Sequence, residues 1–391
     1  MKVLHALESY LPVSENWIYP QITRVRGVTP AVFCGGLENT ELFPLDGAPC
    51  FLDPPPWGAA LGLPRLVNSV AFRLGRGGIV ACGAARRWKP ELIHAHFGMR
   101  GWHMLGLRRN LRVPQVTSFY GMDAWQVPHS SQLWRDRYTE LFAQGAAFLA
   151  EGPAMGERLA ALGCPRERIH VVRLGVDCAA LPFDRKEFGS PMRVLMMARF
   201  IEKKGLPDGL RACAEAARMG ANIEVIMIGG ARKGDAAGER IDIELREIAA
   251  GDALRGRVAF EGFLKPAEAR AVLRKADVFL SPSKHAANGD AEGGSPLALT
   301  EAMALGVLCI GTRHCDLPEV IRHGETGLLA ESGDIAGLAA LLVQAAGEPD
   351  ASREMCARGR AHIESLFSIP RQVLELERIY GQVAQAAPQP C

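Results

Sequence analysis

Arg199 and Lys204 stand in the run Ala198-Arg199-Phe200-Ile201-Glu202-Lys203-Lys204-Gly205, directly behind apolar residues that read as a strand. A guanidinium fork and a mobile ammonium at the mouth of one strand can both address a diphosphate. The plain alternative is a solvated charged loop. Further on, Glu292-Gly293-Gly294-Ser295-Pro296 opens into the helical run Leu297–Leu305. Here Ser295 is expected as the N-cap and Pro296 as the first helical residue. The paired glycines let the backbone approach a ligand, and free N–H groups at the positive end of a helix suit a phosphate. Carboxylates accept hydrogen bonds from vicinal hydroxyls. Glu301, inside that helix, therefore suits a ribose diol, and Glu292, before the turn, suits a hexose.

These residues need a frame that delivers them from strand ends. Short β-rich apolar runs alternate with helical patterns along the whole chain, the signature of parallel sheets covered by helices on both faces. The strands expected in the first half are Val3–Leu7, Ala31–Cys34, Leu92–His96, Val116–Phe119, Ala147–Ala150 and Ile169–Leu174. Those in the second half are Val194–Met197, Glu224–Ile228, Val258–Phe260, Val278–Leu280 and Leu308–Gly311. The fold class is α/β, two tandem doubly wound, Rossmann-like domains, and ligands of such sheets bind beyond the carboxyl ends of the strands. Residues 1–176 form the first domain, 177–191 a linker rich in Pro, Gly and charge, 192–367 the second domain, and 368–391 a helix and tail. That last helix, from Ser368 through Tyr380 and Val383, either crosses back to brace the first domain or caps the second.

The motifs Arg199 to Gly205, Phe260-Glu261-Gly262, Ala276–Ser283 (ADVFLSPS) and Glu292–Gly306 (EGGSPLALTEAMALG) together resemble the second domain of retaining glycosyltransferases of family four. The likeness continues through Cys309–Thr312, Leu317–Ile321 and Gly324–Leu329. More loosely, Ile93-His94-Ala95-His96-Phe97-Gly98 and Val13–Ile18 are similar to elements of bacterial exopolysaccharide and colanic-acid-type transferases. The resemblance implies the GT-B fold, two such domains facing a cleft, the first binding acceptor and the second binding a nucleotide sugar. It places Arg199 and Lys204 on the donor diphosphate and Glu301 on the ribose. Glu292 falls on the donor sugar, the amides around Gly294, Ser295, Pro296 and Leu297 on phosphate and sugar, and Phe263 and Leu264 beside the base. Glu292, Arg199 and Lys204 are the expected catalytic residues. Two departures stand out: Glu292 and Glu301 are nine positions apart where the family has eight, and Tyr120 replaces the usual histidine of F-H-G-x-D. His96, Tyr120 and Asp123 are the acceptor-side candidates, with a structural role for the histidine and the aspartate as the alternative.

The expected reaction is transfer of a sugar, with retention, from a nucleoside-diphosphate sugar to a saccharide, lipid-linked or small-molecule acceptor in surface polysaccharide or glycoconjugate biosynthesis. The transition state of such transfers is oxocarbenium-like. No D-x-D motif occurs, so no metal and no cofactor beyond the donor are expected, with a UDP-sugar favoured over a GDP-sugar. Arg199, Lys204 and the helix start would stabilise the leaving diphosphate. Rival readings are an epimerase or phosphorylase on the same fold, separated by a product assay, and a silent sugar-nucleotide binding protein.

With 391 residues, 48% hydrophobic and 23% charged, the chain has the composition of a soluble two-domain protein without a bilayer-length apolar run. Glu8 argues against a signal peptide. Ten cysteines without a C-x-x-C pair are expected as free thiols in a reducing cytoplasm. A net charge of +2 is uninformative overall, and the basic stretch before Glu91 is not expected to bind nucleic acid specifically. No acidic residue lies between Asp53 and Glu91, and Arg65, Arg73, Arg76, Arg86, Arg87 and Lys89 alternate there with apolar residues. Residues 64–89 are thus either a surface helix pair with a solvated cationic face or a surface for anionic lipid or a phosphate-bearing acceptor. The expected location is the cytoplasm, with peripheral contact at the inner face of the membrane as an option.

Overall fold

The computed structural model describes residues 1–53, 79–184, 187–294 and 296–386. The chain divides into two compact units, Met1–Gly175 with Ile369–Cys391, and Val176–Ser368. It passes between them at 175/176 and again at 368/369. The segment 177–191 accordingly counts with the second unit: Leu181 is 3% exposed in its core, and the amide of Asp184 donates to the carbonyl of Leu305 at 3.4 Å.

Among the described residues the first unit holds seven strands: β1 (Lys2–Ala6), β2 (Thr29–Cys34), β3 (Cys50–Leu52), β4 (Leu92–His96), β5 (Gln115–Ser118), β6 (Ala147–Ala150) and β7 (Ile169–Val171). They form one sheet in the order β3-β2-β1-β4-β5-β6-β7, every pairing parallel. The second unit holds β8 (Met192–Met197), β9 (Ile223–Ile228), β10 (Val258–Gly262), β11 (Val278–Ser281), β12 (Leu308–Thr312) and β13 (Leu328–Ala330). Their order is β10-β9-β8-β11-β12-β13, again all parallel. In both sheets the order reverses beside the first strand, between β1 and β4 and between β8 and β11. At such a switch point the two flanking loops part to opposite faces and leave a crevice at the strand ends.

Alternation along the strands sorts the second unit's core into two layers. Val194, Met196, Val278, Leu280, Leu308 and Ile310 face one way, into the helices Leu206–Arg218 and Ile335–Gly347. Leu195, Phe279 and Cys309 face the other, against Leu299, Met303 and Ile363. Both faces being covered, these strands read as continuous apolar runs.

The terminal helix Ile369–Ala386 belongs to the first unit. Val373, Leu376, Ile379, Tyr380 and Val383 recur at helical spacing and pack on Val3, Leu92, Val116 and Leu149 of the first sheet. Its start is tied by Gln372, whose Oε1 accepts from the Gly175 amide, and Glu377 accepts from the Arg26 amide at 2.7 Å. The helix therefore crosses back to the first unit. Among the described residues no helix is long and apolar enough to cross a membrane. Of the basic stretch, residues 54–78 lie outside the described residues, and the backbone of Ile79–Trp88 is helical.

Candidate active site

At the second unit's switch point, β8 ends and the chain turns through Arg199 into a short 3₁₀ turn, Glu202–Lys204, before the helix Leu206–Arg218. Gly205 makes the joint. Its φ is +61°, and a Cβ there would stand 1.8 Å from the carbonyl oxygen of Pro282 in the loop after β11, so only glycine lets the two loops touch. Three successive side chains then bind the second loop. Glu202 accepts from the Ala287 amide at 3.1 Å. Lys203, 8% exposed, donates to Asp290 at 3.1 Å and to the carbonyl of Ala291 at 2.9 Å. Lys204 Nζ lies 2.7 Å from Glu292 Oε1, which also accepts from Ser283 Oγ at 2.9 Å.

Glu292 is 5% exposed. Burial pushes its carboxyl upward, but the charges of Lys204 and Lys203 and the hydrogen bonds from Lys204 and Ser283 outweigh it, and the net shift is downward. The glutamate is thus an ionised acceptor held at the sheet's edge. The additional residue in the Gly-Gly turn leaves Glu292 within reach of Lys204. The amide of Glu292 points to His314 Nε2 at 3.4 Å, behind the turn.

The remaining donor-side candidates lie around this pair. Arg199 is exposed, with Arg232 from the loop after β9 adding a second positive charge beside it. Gly293 and Gly294 are buried, and Ser295 lies outside the described residues. Pro296 was expected as the first helical residue. It instead precedes the helix, its ψ of 127° being extended, and the helix runs Leu297–Ala304. Its carbonyl accepts from the Leu299 amide at 2.9 Å, and Pro296 lines one small cavity together with Lys204 and Ser283. Glu301 is paired with Arg270 at 3.0 Å, an arginine from the helix Pro266–Leu273 that sequence reasoning did not single out. Phe263, just past β10, is 64% exposed and free to stack on a planar group, whereas Leu264 is half-buried against the core.

The first unit has its own cluster at the β1/β4 switch point. His5 pairs in register with His94, and His94 and His96 alternate onto one face of β4. His5 Nδ1 and His96 Nε2 are 3.1 Å apart, and His96 Nδ1 meets the Tyr120 hydroxyl at 2.7 Å. His94 bridges the Tyr380 hydroxyl at 2.6 Å and Ser118 Oγ at 2.7 Å. Burial pulls all three imidazoles down, His5 to about 3, so they are neutral. Asp123 is fully buried, its oxygens accepting from the amides of Gly98 at 2.8 Å and Tyr120 at 3.0 Å. Burial pushes it up to about 6 against those amides. All three acceptor-side candidates have protein partners; His96 and Asp123 are buried, and Tyr120, bonded to His96, is half-buried. Phe97, between His96 and the helix Gly98–Leu111, holds φ +73° and ψ 139°, a strained conformation for a side chain that bulky. Sequence reasoning missed His5, His94 and Tyr380, although the period-two spacing of His94 and His96 was a usable signal.

Two family models match the chain, one described as glycosyltransferase family 4 over residues 24–180 and one as glycosyl transferases group 1 over residues 179–362. The amylovoran biosynthesis glycosyltransferase AmsK of Erwinia amylovora is 34% identical over 340 residues, covering 82% of this chain and 81% of that protein. Among solved structures, Anabaena HepE in complex with UDP and glucose superposes with a TM-score of 0.74 at 18% identity, over 99% of this chain and 100% of that one. A glycosyltransferase from Rickettsia africae gives 0.73 at 14% identity, over 98% and 99%. At those identities the structural likeness speaks for the fold, which is GT-B.

Proposed function

The chain belongs to glycosyltransferase family 4, and we propose that it moves a sugar, with retention and without a metal, from a UDP-sugar to a saccharide or lipid-linked acceptor in exopolysaccharide biosynthesis. The observation that carries the donor side is the pairing of half-buried Lys204 with buried Glu292 at the switch point. A diphosphate arriving there offers Lys204 two stronger anionic partners, and as the ammonium turns to them Glu292 is released to accept from the sugar's hydroxyls. The exposed guanidinium of Arg199 meets the same phosphates, and the amides leading into Leu297–Ala304 add the positive end of a helix. As the glycosidic bond to the diphosphate lengthens, negative charge gathers on the leaving oxygen, where these fixed cations count most. Among the described residues of the second unit no pair of carboxylates stands beside the Lys204–Glu292 site as a nucleophile, which favours attack from the leaving-group face. HepE, solved with UDP and glucose, supports the choice of uracil as base. AmsK supports the polymer, and a cytoplasmic site of action is part of the same reading. Contact of 64–89 with an anionic inner membrane face is part of the same proposal and is read by vesicle co-sedimentation.

The test is single-turnover transfer beside UDP affinity. Lys204→Met should cut the transfer rate by about 10²–10³-fold while UDP affinity falls far less; equal losses in both would overturn the role in charge stabilisation. Glu301→Ala should weaken UDP by about 1–3 kcal/mol, and unchanged affinity would remove Glu301 from the ribose. Product analysis showing an isomerised, unlinked sugar would replace transfer by epimerisation.

A further inference from the structure

Behind the Glu292 turn, the loops after β11 and β12 bring three side chains together: His285 from the first, His314 and Cys315 from the second. These strands are paired in parallel, so both loops leave the same edge of the sheet side by side. One ligand atom from each of the three lies within 4.8 Å of the others. His314 Nε2 and Cys315 Sγ are 3.4 Å apart, and the two imidazoles meet edge to face with centroids 4.6 Å apart. Tetrahedral zinc, with bonds of about 2.3 Å to sulfur and about 2.0 Å to nitrogen, sets its S···N edges near roughly 3.5 Å. The Cys315–His314 edge already has that length. Cys315 is also held at φ +45°, in the left-handed region that a cysteine avoids without a reason.

We propose that His285, His314 and Cys315 form a site for a thiophilic divalent cation, zinc being the natural occupant, and that its occupancy inhibits the enzyme. One thiolate and two imidazoles fill three positions, and water takes the fourth. His314 Nε2 faces the Glu292 amide as an acceptor, so that nitrogen carries a lone pair and no proton. Cys315 would bind the metal as its thiolate. The link to the donor site is His314 Nε2, the acceptor facing the Glu292 amide at 3.4 Å. A metal on that nitrogen takes its lone pair, leaves the amide without its acceptor and shifts the turn that aims Glu292 at Lys204. This extends the proposed transferase reading, and its binding arm does not depend on it.

Reduced, chelator-treated full-length protein is titrated with zinc, with cadmium as the optical probe and magnesium as the hard-cation control. The expected result is one saturable zinc equivalent, a cadmium–thiolate charge-transfer band and no response to magnesium. Cys315→Ser should abolish the band, and Cys315→Ser and His285→Ala should each weaken zinc at least tenfold, with circular dichroism confirming both folds. Retention of band and affinity in Cys315→Ser, or no saturation at one equivalent, overturns the site. For inhibition, zinc should slow transfer by the wild type and spare Cys315→Ser. Equal inhibition of both would confine the proposal to binding and overturn its regulatory half.

Discussion

An ammonium and a carboxylate 2.7 Å apart and mostly shielded from water stabilise the protein only while both are present. Lys204→Met strands Glu292 as a buried charge, and urea unfolding of the second unit should show a loss of about 3 kcal/mol. Adding Glu292→Gln to that variant should recover most of it, because the charge that needed a partner is gone; a double variant as unstable as the sum of both singles would deny the coupling. Gly205→Ala is a harsher change, meeting both the positive φ and the Pro282 carbonyl, and should lower stability by about 2–4 kcal/mol. At this scale the sequence disclosed residue types and spacings. Arg199, Lys204, Glu292 and Glu301 were legible because strand-end loops and a Gly-Pro helix start have local signatures. Arg270 was not, since its link to Glu301 is made across two helices 31 positions apart. Nor was the placing of Pro296, where one torsion decides which residue starts the helix.

The elements that carry these residues differ in how openly the sequence announces them. Central strands such as β4 and β8 are buried on both faces and appear as apolar runs bounded by turns. β3 and β13, three residues each at the sheet edges, are too short for any period to show. The closing helix was visible as a helix, but its partner was not, because an apolar stripe does not say which surface it covers. Beside the ties of Gln372 and Glu377 it is anchored by Tyr380, hydrogen-bonded to His94 in a row of neutral imidazoles. Each of these histidines has a lower pKa folded than its ordinary value, so below pH 6.5 the unfolded chain binds protons that the folded one refuses. Their contribution to stability is complete above pH 6.5 and drains as pH falls from there toward about 3, the value for His5. The expected slope is about 1.4 kcal/mol per pH unit for each histidine. Denaturation of the first unit between pH 7.5 and 5 tests this, and His5→Gln should remove one proton's worth of slope; an unaltered slope would mean His5 is not the neutral group described.

Across the whole molecule, the proposed donor contacts and the histidine cluster fall in different units, and calorimetry should separate them. UDP should raise the unfolding temperature of the transition belonging to Val176–Ser368, as any ligand of the folded state does. An equal rise in a transition assigned to the first unit would place nucleotide contacts there as well. Transfer should continue in EDTA, and a strict metal requirement would overturn the reading of Arg199 and Lys204 as the charge acceptors. The doubly wound plan of both halves was legible because alternation of strand and helix patterns is a property of the entire chain, which single errors at element ends do not disturb.

The return of Ile369–Ala386 to the first sheet also orders events during synthesis. The ribosome delivers β1 to β7 first, yet the apolar face those strands present to Tyr380 and Leu376 stays bare until the last helix emerges. Val176–Ser368 leaves the exit tunnel whole and earlier than that helix, so the unit begun first is the one finished last.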